Sequence, residues 1–585
     1  MRRILLLLLV ALLLCGCTVQ MTEPPYITVS LQLPQGCQVV NNGLKIRSGE
    51  DAVFELVFED GFNFSGVLYD GNYTTEMKNG RTILRLEKVL YPTVAKVSAT
   101  SLYCSITYDP NGGGGNRMTL YYDRSEHLRP NTSIGTDMYI RSGYTLVNWN
   151  TEADGSGTSV GLGSRVTVNG TEETLYAQWA AWSGAANFEW EEVDGEIRIT
   201  SYIGSSTYVV VPGTINGKQV TTIGEYAFRR TNVEKVILPY NIRTLEDGSF
   251  AYSKLKELTI FDNIEYLSDM VFENCKQFTT LHINAVEAPY GYDYRQESCF
   301  PDKVDLLILA QGQKKLVCYA GCSMWYNLNG ELAQQMIGDE YRVINMGLNG
   351  VINSSSQMQI LDHFLEDGDI FFHTPEVSSD SQMMIRTEMI NHDRKLWSGL
   401  EYNYDLVSLL DLQTLPEFFD ILQYWLSTKQ CTSSYTGAYR DSRGNKYVDE
   451  YGCASFYRDV GAESLADKVY LDPAKFDAQA LATLENSYKG YQEKGVTVYV
   501  SYACMNLSAV PEEQQGNVSL IDNMFRDSFS AMEGITVLGS LQDYIYDKSC
   551  FYDTNYHLLT EYTLQNTTKW MTDLLAQMEQ DGLLH

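Results

Sequence analysis

The sequence predicts a multidomain chain with N-terminal all-β modules, a short repeat solenoid and a C-terminal three-layer α/β domain. Three observations predict it. Alternating apolar–polar runs separated by Asn-Gly and Asp-Gly turns fill residues 18–101, the signature of strands and hairpins. A 22-residue period occupies the middle of the chain, and such periods mark stacked repeats. From about Pro301 onward, near-continuous apolar runs alternate with helix-compatible stretches, as in a largely parallel sheet covered by helices. At 585 residues the chain is also too long for a single core.

The first residues read as an export signal. Arg2 and Arg3 precede an apolar stretch from Ile4 to Leu14, which is too short to span a bilayer. The stretch ends in Leu14-Cys15-Gly16-Cys17, which resembles the lipobox of bacterial lipoproteins. The resemblance implies removal of residues before Cys17, lipidation of the Cys17 thiol, and an exported protein held at the outer face of the cell membrane by lipid alone. A formal charge of −31 fits that setting. It excludes nucleic acid as a partner, because phosphates call for a basic face.

Residues 18–101, with runs such as "DAVFELVFE" and "RTILRLEKV", read as a small β-sandwich without chemistry. The next module, 102–182, carries "ITYDPNGGGG", then Gly143-Tyr144, Trp149 and Asp154-Gly155, and closes on "LYAQW". These pieces, in this order, resemble the Listeria–Bacteroides repeat, a small β-rich surface module. In the segment 186–295, Ile223, Leu245 and Leu267 recur at 22-residue spacing, as do Phe228, Phe250 and Phe272. Val236 and Leu238 return as Leu258 and Ile260, then as Leu281 and Ile283 after one extra residue. One repeat cannot bury its own apolar face, so the units must stack. The wording "TIGEYAF…VEKVILP" resembles BspA-type leucine-rich repeats, which implies a spacer or a face for a host or matrix ligand.

In the last segment, 300–585, strands are expected at "VDLLILA", "KKLVCYA", "YRVINMG", "DIFFHTP", "VTVYVSYA" and "ITVLG". Helices are expected at Leu328–Ile337, Ser355–Phe364, Leu415–Trp425, Ala474–Lys494 and Leu558–Gln580. Cys431 to Asp459 interrupts this alternation with tyrosines and charges and no apolar period. It reads as a flap with aromatic surface, or as a solvated insertion. Setting Cys15 and Cys17 aside leaves ten of the 12 cysteines. No pair or cluster has zinc spacing, and no cofactor or metal is implied. Cys431 with Cys453, or Cys275 with Cys299, could form staples.

In such a sheet, ligands sit beyond the carboxyl ends of the strands. There the sequence places Gly321-Cys322-Ser323 after one strand, Gly347 after the next and His373-Thr374-Pro375-Glu376 after a third, while "FYDTNYHLLTEYT" brings Asp553 and His557 before the last helix. This order resembles the SGNH (GDSL-like) hydrolase and acyltransferase superfamily, closest to secreted members ending in a "D-x-x-Y-H-L" block. The resemblance implies a flavodoxin-like fold with Ser323 as nucleophile, His557 as general base and Asp553 as its orienting acid. It also implies an oxyanion hole from the backbone N–H groups of Ser323 and Gly347.

The chemistry needs these residue types. A serine hydroxyl is a weak nucleophile until an imidazole takes its proton, and a carboxylate fixes the tautomer and stabilises the imidazolium. The block at His373–Glu376 departs from the Gly-x-Asn-Asp common in the superfamily, so its asparagine donor is replaced. His373 is the fallback base, or else a structural histidine. Cys322 is expected to point into the fold, as a small buried hydrophobe or in a disulfide. Two functions follow as expectations. One is a serine-dependent esterase or O-acyltransferase acting on acyl esters such as O-acetyl groups of extracellular or cell-wall glycans. The other is a non-catalytic surface adhesin or scaffold.

Overall fold

The computed structural model describes residues 24–584, apart from 35, 60, 70, 102, 125–127, 136–137, 287–298, 349–353, 378–399, 401–402, 414–417, 419–421, 425–447, 455–457 and 467. Cys15, Cys17, Cys431, most of the Leu415–Trp425 helix and most of the 431–459 insertion lie outside the described residues.

The chain divides into two compact units. Within the first, the segment from Tyr26 to Ser101 forms two four-stranded sheets. Alternation decides which side chains are hidden. Ile27, Val29 and Leu31 face inward from one strand, and Phe54, Leu56, Leu84 and Leu86 face them from the other sheet. This is the sandwich that the period-two runs predict.

The second unit contains the rest of the small repeat module, the solenoid and the α/β domain. In the module, the Tyr144–Asn150 strand pairs antiparallel with Ser159–Gly161 and with the strand ending at Ala181. Trp149 is buried at its centre, edge-on to Tyr108 and Tyr139 at 5.0 and 5.8 Å. Asn111, in the left-handed region at φ 45°, donates from Nδ2 to the carbonyls of Ala153 and Ala177. A tight turn in the sequence is thereby tied to a hairpin turn and to a strand.

The solenoid follows the period. Parallel ladders join Tyr208–Val210, Lys235–Ile237, Glu257–Phe261 and Thr280–Asn284, with Val236 opposite Leu258 and Leu258 opposite Leu281. The extra residue of the last repeat is absorbed outside the strand pairing. Phe228 stacks on Phe250 at 5.0 Å, and Phe250 on Phe272 at 6.2 Å.

In the α/β domain, the strands Arg342–Asn345, Lys315–Tyr319, Ile370–His373, Thr497–Val500 and Thr536–Val537 lie in that spatial order, all parallel. In chain order this is 2-1-3-4-5, a doubly wound arrangement that reverses at its first strand. Crossovers are right-handed, so the reversal sends helices to both faces. The helices Gly330–Ile337 and Thr560–Gln580 pack together, and Ser354–Asp362 packs on Ala478–Glu493. The helices expected at Leu328–Ile337, Ser355–Phe364, Ala474–Lys494 and Leu558–Gln580 form within a few residues at each end, whereas Cys322–Asn327 and Val518–Ser530 are helices that the sequence reading does not place.

Three expectations need correction. "VDLLILA" is part of a helix, Cys299–Leu309, rather than a strand. That helix is buried on nearly every side, including Lys303 and Asp305, so its apolar run looks continuous in the way a buried strand does. Cys275 and Cys299 are not joined by a disulfide, and Cys275 instead donates to the Phe250 carbonyl at 2.9 Å. Cys453 is also free.

The small module is fastened to the α/β domain through charge. Arg129 and Arg165 pair with the two carboxylate oxygens of Asp305 at 3.1 and 2.7 Å, and Arg165 also pairs with Asp302. Asp305 is fully buried. Burial pushes its pKa up against the pull of both guanidinium groups.

Candidate active site

The site forms where the first strand of the sheet meets the loop before the last helix. A short helix, Cys322–Asn327, starts two residues after the Lys315–Tyr319 strand. Gly321 precedes it with φ −69°, a conformation open to any residue. A side chain there would push the Glu376 carboxylate aside, since a Cβ would come within 2.6 Å of Glu376 Oε1.

The loop carrying Asp553 and His557 is held by its own backbone and by that short helix. Tyr552 N–H donates to the His557 carbonyl at 2.7 Å, and His557 N–H to Thr554 Oγ1 at 3.1 Å. The buried Asn327 accepts from Leu558 N–H at 2.8 Å and donates to the Tyr556 carbonyl at 2.6 Å. Asn327 therefore grips the chain on both sides of His557. The Tyr326 ring lies flat against the imidazole, with centroids 3.8 Å apart and planes within 5°. Arg458 sits over Tyr326 at 5.1 Å and donates to the carbonyls of Tyr326 and Leu558.

His557 Nδ1 and Asp553 Oδ1 are 2.7 Å apart. The imidazole is 6% exposed, whereas the Asp553 side chain is 44% exposed. Nε2 is buried without an aligned hydrogen-bond partner. Burial acts to lower the imidazole pKa. The Cys322 side chain and the Asp553 carboxylate, acting through charge and hydrogen bonding, outweigh it and push the pKa up to about 10.

Ser323 is 0% exposed, and its Oγ has no hydrogen-bond partner, His557 included. Its backbone N–H donates to Glu376 Oε1 at 3.1 Å. The Gly347 N–H is likewise engaged, donating to Asn345 Oδ1 at 2.8 Å. Gly347 must be small because a Cβ would come within 2.4 Å of the Trp325 nitrogen. Of the four site residues drawn from the sequence, the structure thus pairs Asp553 with His557. It leaves the Ser323 hydroxyl unbonded and directs the two backbone donors to side chains of the protein.

Cys322 differs from its expected place. It is half-buried and free, and its thiol interacts with the imidazole. The resemblance places Ser323, not Cys322, toward the reacting group. The helix that begins at Cys322 instead puts residues 322 and 326 on one face, one turn apart, and Tyr326 is the ring that lies on His557. Tyr326, Asn327 and Glu376 were not read as site residues. The i, i+4 relation of Cys322 and Tyr326 was the available signal for the first.

His373 is enclosed in the fold. It is buried, its Nδ1 lies 2.6 Å from the Tyr488 hydroxyl, and burial pushes its pKa down to about 3. Among the described residues, no cluster of three or more His, Cys, Asp or Glu is placed to hold a metal ion. No described helix is long and apolar enough to cross a membrane.

Fold and repeats together define a multidomain protein of repeat modules joined to a doubly wound α/β domain. Residues 105–178 match the Listeria-Bacteroides repeat domain, and residues 210–303 match the BspA type leucine rich repeat region in six copies. Repeats of these kinds point to a bacterial surface or adhesion-type protein. No curated protein matches the chain.

Proposed function

We propose that this is a lipid-anchored surface protein whose C-terminal domain transfers or hydrolyses acyl esters of extracellular glycans. The observation that carries the reading is the His557–Asp553 pair, 2.7 Å apart, with Nε2 buried and without an aligned hydrogen-bond partner beside the turn that follows the first strand. A carboxylate on one ring nitrogen and an available second nitrogen is the arrangement that acyl transfer requires. Ser323, from the resemblance to SGNH hydrolases, and Cys322, from its contact with the imidazole, are the two candidate nucleophiles. The repeats would hold the domain away from the membrane or bind a host or matrix ligand.

A chromogenic acetyl ester tests the enzyme reading. Turnover by the full chain that falls at least 100-fold in His557→Ala supports it. Absence of turnover on acetyl esters and on O-acetylated glycan favours the second reading, a scaffold or adhesin with a degenerate site. That second reading has its own support in the engaged N–H groups of Ser323 and Gly347. Anchoring rests on Cys17, and Cys17→Ala is expected to release the protein from membranes, since a lone acyl chain binds only marginally.

A further inference from the structure

Building on the acyl-transfer reading, we propose that the nucleophile is the Cys322 thiol, paired with the His557 imidazole, and that the Ser323 hydroxyl is structural. A nucleophile must reach substrate. Ser323 is fully buried, whereas Cys322 is half-buried. The helical face carrying Cys322 also carries Tyr326, whose ring covers His557 at 3.8 Å. A buried imidazole nitrogen without an aligned partner, next to that face, is a group placed to exchange a proton.

The ionisation of His557 points the same way. An imidazole held as imidazolium at neutral pH cannot take a proton from a serine hydroxyl. It can stabilise a thiolate, which is already the attacking form. The interactions with Cys322 and Asp553 outweigh burial and push the His557 pKa up to about 10.

The chemistry balances without any further reactant. The Cys322 thiolate attacks the carbonyl carbon, a C–S bond forms, and the carbonyl electron pair moves to oxygen. Collapse breaks the ester C–O bond, and the leaving alkoxide takes the proton from His557. Water or an acceptor hydroxyl then attacks the thioester while neutral His557 accepts its proton. The C–S bond breaks, and thiolate and imidazolium are restored.

Two measurements on the full chain test this. The first is iodoacetamide labelling at pH 6 with peptide mapping, because every other described cysteine is buried. Cys322 is expected to react at least ten times faster in the wild type than in His557→Gln or Asp553→Asn. Equal rates in all three proteins overturn the pairing. The second is acid-quenched reaction with p-nitrophenyl acetate. The acetyl group is expected on Cys322, released by neutral hydroxylamine, and acetyl on Ser323 overturns the proposal. If the labelling difference holds but neither residue is acetylated, the thiol–imidazole pair stands and the acyl-ester reading fails.

Discussion

The Tyr326 ring and the His557 imidazole stack face to face, 3.8 Å between centroids and 5° between planes. The contact joins the short helix after the first strand to the loop before the last helix. It sets the tilt of the imidazole while Asp553 sets its tautomer. Tyr326 is therefore a positioning residue. Tyr326→Leu is expected to lower kcat on an acyl ester about tenfold with little change in KM. Tyr326→Phe, which keeps the flat surface, should restore most of it. A KM effect equal to the kcat effect would place Tyr326 in substrate binding instead.

Proton linkage gives a second expectation. The His557 pKa rises from 6.5 to about 10 on folding, so the folded state holds the proton more tightly than the unfolded state. The stabilisation is fully present below about pH 6.5 and is lost as pH climbs through about 10. The melting temperature should accordingly fall across this window in the wild type. In His557→Gln that part of the decline is missing. Parallel melting curves for the two proteins from pH 6 to 10.5 would contradict the shift.

Asn327 has the largest structural role per atom at the site. Asn327→Ala removes an acceptor from Leu558 N–H and a donor to the Tyr556 carbonyl, both buried. Each orphaned buried group costs ~1–3 kcal/mol, so a loss of roughly 3 kcal/mol is expected in the denaturant unfolding of the α/β domain. The same variant should broaden or shift the His557 imidazole resonances in NMR spectra, because the loop loses its grip on both sides of the ring.

In the solenoid, Phe250 sits between Phe228 and Phe272 and is fully buried. Phe250→Ala is expected to cost about 3–5 kcal/mol. Coupling between neighbouring coils carries the stability of a solenoid. The loss should therefore appear as earlier, less cooperative unfolding of this region, read by hydrogen exchange on residues 208–284. Phe250→Leu, which fills most of the volume, should recover most of the difference.

What the sequence makes legible depends on how local the cause is. The strand Lys315–Tyr319 is plain because an apolar run between turn residues is its own signal. The Phe228–Phe250–Phe272 column is plain because a fixed period implies stacking. The helix Cys299–Leu309 is not plain, because its charged residues are hidden by distant partners. Lys303 donates to the Asn345 and Gly347 carbonyls, and Asp305 meets Arg129 and Arg165 from another module. At the site, the Asp553–His557 pair follows from four-residue spacing in one loop. Whether Cys322 or Ser323 meets the imidazole depends on where the short helix starts its turn. That phase is set by Asn327 gripping a segment 229–231 residues away.

The ionic seam at Asp305 bears on how this protein can change over generations. Removing Asp305 alone takes a buried carboxylate from both Arg129 and Arg165, leaving Arg165 its pair with Asp302, at a cost of about 3–5 kcal/mol. Apolar replacement of all three residues together could be neutral. The small module is consequently not a cassette that can be exchanged for a relative at its family boundaries. Any substitute must bring its own answer to the carboxylate waiting in the neighbouring domain.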